Sequence, residues 1–213
     1  MFIRETAVRT AVAVAAGLSS VGVAHADLVF NNGLVNDFSG AASGAVIVAD
    51  SVDPPAHTTL NYLAGASNSI GSDLNATGSS TVNIFTGSLV GDDMNATGAS
   101  MVNIYGGTIT DDIRVRDASI VHLYGGSIGD SVAARETATL FVHGYGFNYA
   151  YGSITDDTGI LSGFLSDGTA FSYDFDRGTV GAYTGTIILV EAVPSPAGLA
   201  VLALAGLVRS RRR

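Results

Sequence analysis

The chain has no cysteine, no tryptophan and no lysine, and only four prolines. Without thiols there is neither a disulfide framework nor a thiolate metal site. Whatever fold the chain adopts must be held by packing and hydrogen bonds alone. Positive charge is scarce where it would matter. From Asp27 to Glu191 there are 18 acidic residues against four arginines, Arg114, Arg116, Arg135 and Arg177. The remaining six arginines lie at the two ends. A body this acidic argues against nucleic acid or anionic lipid as a partner. It suits a solvated extracellular surface, or one that meets divalent cations. Helical periodicity is missing from the body as well, and no nucleophile elbow, phosphate loop or HExxH motif occurs.

What the sequence does have is a repeat. Asp73 to Phe85, Asp93 to Tyr105 and Asp112 to Tyr124 read as three copies, with Leu74 and Met94 20 residues apart and Met94 and Ile113 19 apart. A weaker copy runs from Ser131-Val132 to Val142-His143, and a degenerate one, Thr59 to Leu63, leads in. Apolar and polar residues alternate inside each copy, which is the two-residue period of a strand. Gly78-Ser79-Ser80 and Thr86-Gly87-Ser88 supply turns between the strands. A period of about 20 residues with three short strands is one turn of a β-solenoid. The expected fold is therefore all-β, a short parallel β-helix of about five turns over residues 57–147.

Stacking the copies predicts four apolar columns. They are Leu74, Met94, Ile113 and Val132; Val82, Val102, Val121 and Leu140; Ile84, Ile104, Leu123 and Val142; and Leu89, Ile109, Ile128 and Phe147. Residues 27–56, with a strand around Ala45 to Ala49, are expected as an N-terminal cap over unpaired backbone. Residues 148–192 are expected as C-terminal capping strands. These are Gly159 to Leu165, Ala170 to Phe175 and Thr186 to Val190.

The two ends read as addresses. Arg4 and Arg9, an apolar core from Ala11 to Leu18, and small residues at Ala24 and Ala26 make residues 1–26 a secretory signal peptide, cut by signal peptidase before Asp27. Residues 193–213 combine Val193-Pro194-Ser195-Pro196, an apolar run from Ala197 to Val208, and a basic tail of Arg209, Arg211, Arg212 and Arg213. The run is short against the ~20 residues that a helix needs to span a bilayer. The arginines would hold that end on the cytoplasmic side.

This layout of proline motif, apolar helix and basic tail resembles the PEP-CTERM sorting signal of Gram-negative-type bacteria. Ser195 stands where that family most often has Glu. The resemblance implies export, transient insertion of the C-terminal helix in the inner membrane, and processing by an exosortase near Pro194-Ser195-Pro196. The repeat body also looks like those carried by exported PEP-CTERM proteins, which are linked mostly with the cell surface and extracellular polysaccharide.

Candidate sites lie on the repeat. Asp73, Asp92, Asp93, Asp111, Asp112 and Asp130 would line one edge, with successive turns ~4.8 Å apart. They either face water and screen one another or hold calcium, a hard cation with oxygen ligands. Phe85, Tyr105 and Tyr124 would share an outward column, where they either grip sugar rings or shield the sheet. Arg116 and Arg135 share a column beside Asp117 and Glu136. That pattern resembles polysaccharide lyases, or it is a surface charge ladder. His57, His122 and His143 fall in different columns and predict no metal cluster. The resulting expectation is an exported, non-enzymatic structural or adhesive protein of the cell surface or matrix, needing no cofactor. A polysaccharide-binding module or lyase-like enzyme on the same fold is the alternative.

Overall fold

The structure, a computed structural model, describes residues 27–65, 69–178 and 184–192. The chain starts with β1 (Leu28–Phe30), β2 (Val35–Phe38) and β3 (Ala41–Ala42). Next come β4 (Val46–Val48), a small hairpin of β5 (Ser51–Val52) and β6 (Pro55–Ala56), then β7 (Thr59–Tyr62) and β8 (Ser69–Ile70). Three regular circuits follow. They are β9 (Leu74–Ala76), β10 (Thr81–Ile84) and β11 (Leu89–Val90); β12 (Met94–Ala96), β13 (Met101–Ile104) and β14 (Thr108–Ile109); and β15 (Ile113–Val115), β16 (Ile120–Leu123) and β17 (Ser127–Ile128). The chain ends in β18 (Ser131–Ala134), β19 (Thr139–Tyr145), β20 (Gly152–Ser153), β21 (Thr158–Leu165), β22 (Ala170–Asp176) and β23 (Thr186–Glu191).

These strands stack in parallel on three faces. The first face is β1-β4-β9-β12-β15-β18-β22, the second β2-β7-β10-β13-β16-β19-β23, and the third β3-β8-β11-β14-β17. The expected β-solenoid is therefore present, with about six turns instead of about five. The described part is all-β, and no helix in it is long and apolar enough to cross a membrane. Residues 1–26 and 193–213, with the signal peptide and the apolar tail, lie outside the described residues.

Three of the expected columns are found in register. Leu74, Met94, Ile113 and Val132 stack in line, as do Val82, Val102, Val121 and Leu140, and Ile84, Ile104, Leu123 and Val142. All are buried, and together they form one continuous core. Burying one such aliphatic side chain contributes about 1.5–3 kcal/mol. A one-residue slip would turn every one of them to solvent.

The fourth column differs. Val90, not Leu89, aligns with Ile70 and Ile109, and Leu89 pairs instead with Thr108. The corner before β11 is Thr86-Gly87-Ser88, whereas the one before β14 is only Gly106-Gly107. The shorter corner moves the register by one. Phe147 lies beyond this column, which ends at Ile128, and packs edge-on against Phe171.

The segments expected as caps are mostly further rungs. β1 and β4 continue the first face in parallel, with Val46 stacked on Leu74 and Val48 on Ala76. At the other end Phe175 stacks on Val132, while Ile187 and Leu189 stack on Leu140 and Val142. What closes that end is β21, antiparallel to both β22 and the tip of β19, with β20 antiparallel to β23.

The corner between the first two faces is held by two devices. Gly78 and Gly98 take φ of 67° and 70°, and Asp117 and Glu136 take the same left-handed backbone at 59° and 63°. A Cβ on Gly98 would lie 2.7 Å from the carbonyl oxygen of Gly78, so that position needs glycine. Beside it runs a buried serine column. Ser80, Ser100 and Ser119 donate from Oγ to the carbonyls of Val48, Ala76 and Ala96 in the preceding turn, at 3.0, 3.3 and 3.0 Å. Buried hydroxyls therefore find partners inside the repeat.

Candidate ligand-binding surfaces

The acidic edge forms where the third face turns back to the first. The register places Asp73, Asp93 and Asp112 in an inner column and Asp92, Asp111 and Asp130 in an outer one. Carboxylate oxygens of Asp73, Asp92 and Asp93, and of Asp93, Asp111 and Asp112, come within 4.8 Å of one another. The inner column is tied to the backbone. Asp93 Oδ1 accepts from the Asp112 N–H at 3.2 Å, and Asp112 Oδ1 accepts from the Ser131 N–H and Oγ at 3.0 and 2.7 Å.

Arg114 supplies the countercharge. Its guanidinium pairs with Asp93, which is buried, and donates to Asp112 Oδ2 at 2.6 Å. The outer column keeps its repulsion. Asp111 is raised above its ordinary pKa by desolvation and then by Asp112, Asp130 and Asp92. Asp73 is raised by desolvation first and Asp92 second, with Arg114 opposing. This edge has the oxygen chemistry for a hard cation. The inner acids, however, already hold an arginine and the N–H groups of the next turn.

The arginine that joins the acids is thus Arg114, not Arg116. Arg116 and Arg135 do share a column, as expected, but on the opposite end of the strand. Arg116 is exposed beside Asp117, and Arg135 is ion-paired with Asp176 of β22. Asp117 Oδ2 accepts from the Gly98 N–H at 2.7 Å, and Glu136 Oε2 from the Asp117 N–H at 2.8 Å. The acids beside the two arginines therefore serve the corner backbone.

Phe85, Tyr105 and Tyr124 stack along the axis as predicted, with centroids 5.4 and 5.2 Å apart and planes 21° and 9° from parallel. Their faces are turned onto one another. A sugar ring could stack only at a free end of the column, because the flanks offer ring edges and hydroxyls. Next to this stack runs an open groove of about 520 Å³, lined by Thr86, Gly106, Thr108, Gly126, Asp167 and Thr169 among others. Asp167 Oδ2 accepts there from the Gly126 N–H at 3.0 Å.

The histidines keep the separate columns that were expected, and two of them meet across those columns. His122 and His143 do lie in different columns, following Asn103 and Tyr124 in register. Yet they are diagonal neighbours, with His122 Nδ1 3.0 Å from His143 Nε2. His57 sits elsewhere, against Asp50 and Ser79. The signal in the sequence was present but lay across columns, and long side chains reach diagonally on a sheet.

Asparagine ladders complete the outer surface. Asn61 Nδ2 donates to Asp37 Oδ1 at 2.8 Å, Asn83 to Asn61 at 2.9 Å, and Asn103 to Asn83 at 2.9 Å. On the first face Asn95 donates to Asn75 at 3.2 Å. Ala24, Ala26, Val193, Pro194, Ser195, Pro196, Arg209, Arg211, Arg212 and Arg213 are outside the described residues. Comparison with known proteins found no matching family model, no matching curated protein and no matching solved structure.

Proposed function

We propose that this chain is an exported, non-enzymatic structural or adhesive component of the cell surface or extracellular matrix, with the solenoid as its rigid body. The observation that carries this reading is the use made of the outward side chains. Asparagines, aromatics and acids bond mainly to the equivalent position one turn away, and Arg114 and Arg135 tie neighbouring turns diagonally, which stiffens a rod along its axis. The export and sorting part rests on the sequence of the two ends, residues 1–26 and 193–213.

Intact mass of the protein recovered from envelope and from medium tests this part. A product lacking residues 1–26 and everything beyond about Pro194 is expected in the external fraction. Recovery of a product still carrying Arg211 to Arg213 would contradict the sorting reading and make the tail an anchor.

The groove beside the aromatic stack favours a second reading, a polysaccharide-binding module. Its glycine backbone, threonine hydroxyls and Asp167 offer donors and acceptors to a chain of sugar hydroxyls. Calorimetric titration with a panel of polysaccharides decides between them. Saturable binding that weakens at least tenfold in Asp167→Ala supports the module, and flat titrations across the panel leave the structural reading.

A further inference from the structure

Two side chains that the readings above leave without a task are His122 and His143. Both are half-buried on the outer side of the second face, one from β16 and one from β19. Each ring is held by stacking. His122 lies on Phe141 with centroids 4.6 Å apart and planes 8° from parallel, and His143 lies on Tyr124 at 4.1 Å and 19°. The facing nitrogens, His122 Nδ1 and His143 Nε2, are 3.0 Å apart. Two nitrogens bound ~2.0–2.1 Å from one ion, at roughly 90–110° to each other, lie about 2.9–3.4 Å apart. The spacing therefore suits two ligands of one metal as well as it suits a hydrogen bond.

From this geometry we infer that His122 and His143 form a two-imidazole site for a late first-row transition-metal dication, with Cu²⁺ its tightest occupant. Imidazole selects such ions over calcium, and Cu²⁺ stands highest among the divalent ions for nitrogen ligands. The rings are pre-set for the task in two ways. Stacking limits the motion each must lose on binding. Burial holds both below the ordinary histidine pKa, with His122 adding to the effect on His143, so both are neutral at pH 7, the form that ligates. Water completes the coordination on the exposed side. This site is distinct from the acidic edge, whose oxygen ligands suit hard cations, and it does not depend on the structural or the polysaccharide reading.

The repeat supplies the variants. Column neighbours put Asn at the position of His122 and Tyr at that of His143, so His122→Asn and His143→Tyr replace each ligand with a residue the column already holds. The full chain in detergent is titrated with Cu²⁺ against glycine as a weak competitor, following tyrosine fluorescence, which no tryptophan obscures. The expected result is one equivalent bound with quenching of Tyr124, at least tenfold weaker binding in each variant, and unchanged binding in His57→Ala and His25→Ala. Cu²⁺ also raises the Tm of the unsubstituted chain, and its paramagnetic resonance spectrum carries splitting from two imidazole nitrogens. Wild-type affinity in either variant overturns the site, as does an oxygen-only spectrum or a Tm that Cu²⁺ leaves in place. The spectrum and the Tm are read on the unsubstituted chain, so they decide the matter even if a variant fails to fold.

Discussion

The circuits starting at Leu74 and Met94 and the circuit starting at Ile113 share one interior and differ at key outward positions. Inside, Met94 is replaced by Ile113, Val102 by Val121 and Ile104 by Leu123, all buried and in register. Outside, Asn95 gives way to Arg114, Gly98 to Asp117 and Asn103 to His122. The earlier circuits are joined by neutral amide ladders and turn on glycines. The later one is joined by ion pairs, carboxylate caps and imidazoles. Inward positions thus specify the rod, and outward ones set its chemistry turn by turn. A solenoid allows this because each circuit touches only its neighbours.

The strongest way to break this comparison is in the shared interior, where both regions should respond alike. Met94→Ala and Ile113→Ala are each expected to cost about 2–5 kcal/mol, since each empties a fully buried position in a packed column. Chemical denaturation measures both. A loss confined to one of them would mean that the interiors are not equivalent.

The exteriors should then diverge. Removing Arg114 strips the buried Asp93 of its cation, so Arg114→Ala is expected to cost about 1–3 kcal/mol. Its register partner Asn95 makes a single amide ladder bond on this face, and Asn95→Ala should cost about 1 kcal/mol or less. Equal losses would remove the distinction between a charged and a neutral circuit.

Smaller effects follow from pH. Asp117 lies below its ordinary value of 3.8, chiefly through the Gly98 N–H, then through its link with Glu136 and the charge of Arg116. A depressed carboxylate stabilises the fold above 3.8, and that contribution is lost as pH falls through the folded pKa. Asp117→Asn should therefore lower Tm at pH 7 and cease to differ from the parent in strong acid. Asp111 is raised, so its charge opposes folding near neutrality and the penalty fades as pH falls toward 3.8. Asp111→Asn should raise Tm at pH 7, with the gain gone at low pH. Two variants moving Tm in the same direction at pH 7 would refute the assignment of a corner cap to Asp117 and of repulsion to Asp111.

The comparison also explains how much of the molecule was legible. Columns that repeat the same residue type at a fixed interval, such as Val82-Val102-Val121, place themselves, and so did the outward stack of Phe85, Tyr105 and Tyr124. Leu89 was misplaced because one residue is missing from the next corner, and the two-residue alternation on either side carries no mark of it. Val46 and Phe175 were not recognised as rungs because inserted strands separate each from the array, the β5–β6 hairpin in one case and β20 with β21 in the other. Such insertions leave stacking intact while erasing the period. The histidine pair and the Arg114 link both run between columns. Reading one column at a time could not bring those residues together.

The central claim is that one rod runs unbroken from β1 to β23, with the former cap segments as its end rungs. Amide hydrogen exchange on the full chain tests it most directly. Slow exchange is expected in Leu74–Ala76, Met94–Ala96 and Ile113–Val115, and equally in Val46–Val48 and in Thr186–Glu191, whose strands pair with the array. Protection that begins only at about Thr59 and stops at about Tyr145, with fast exchange in Val46–Val48 and Thr186–Glu191, would contradict the account.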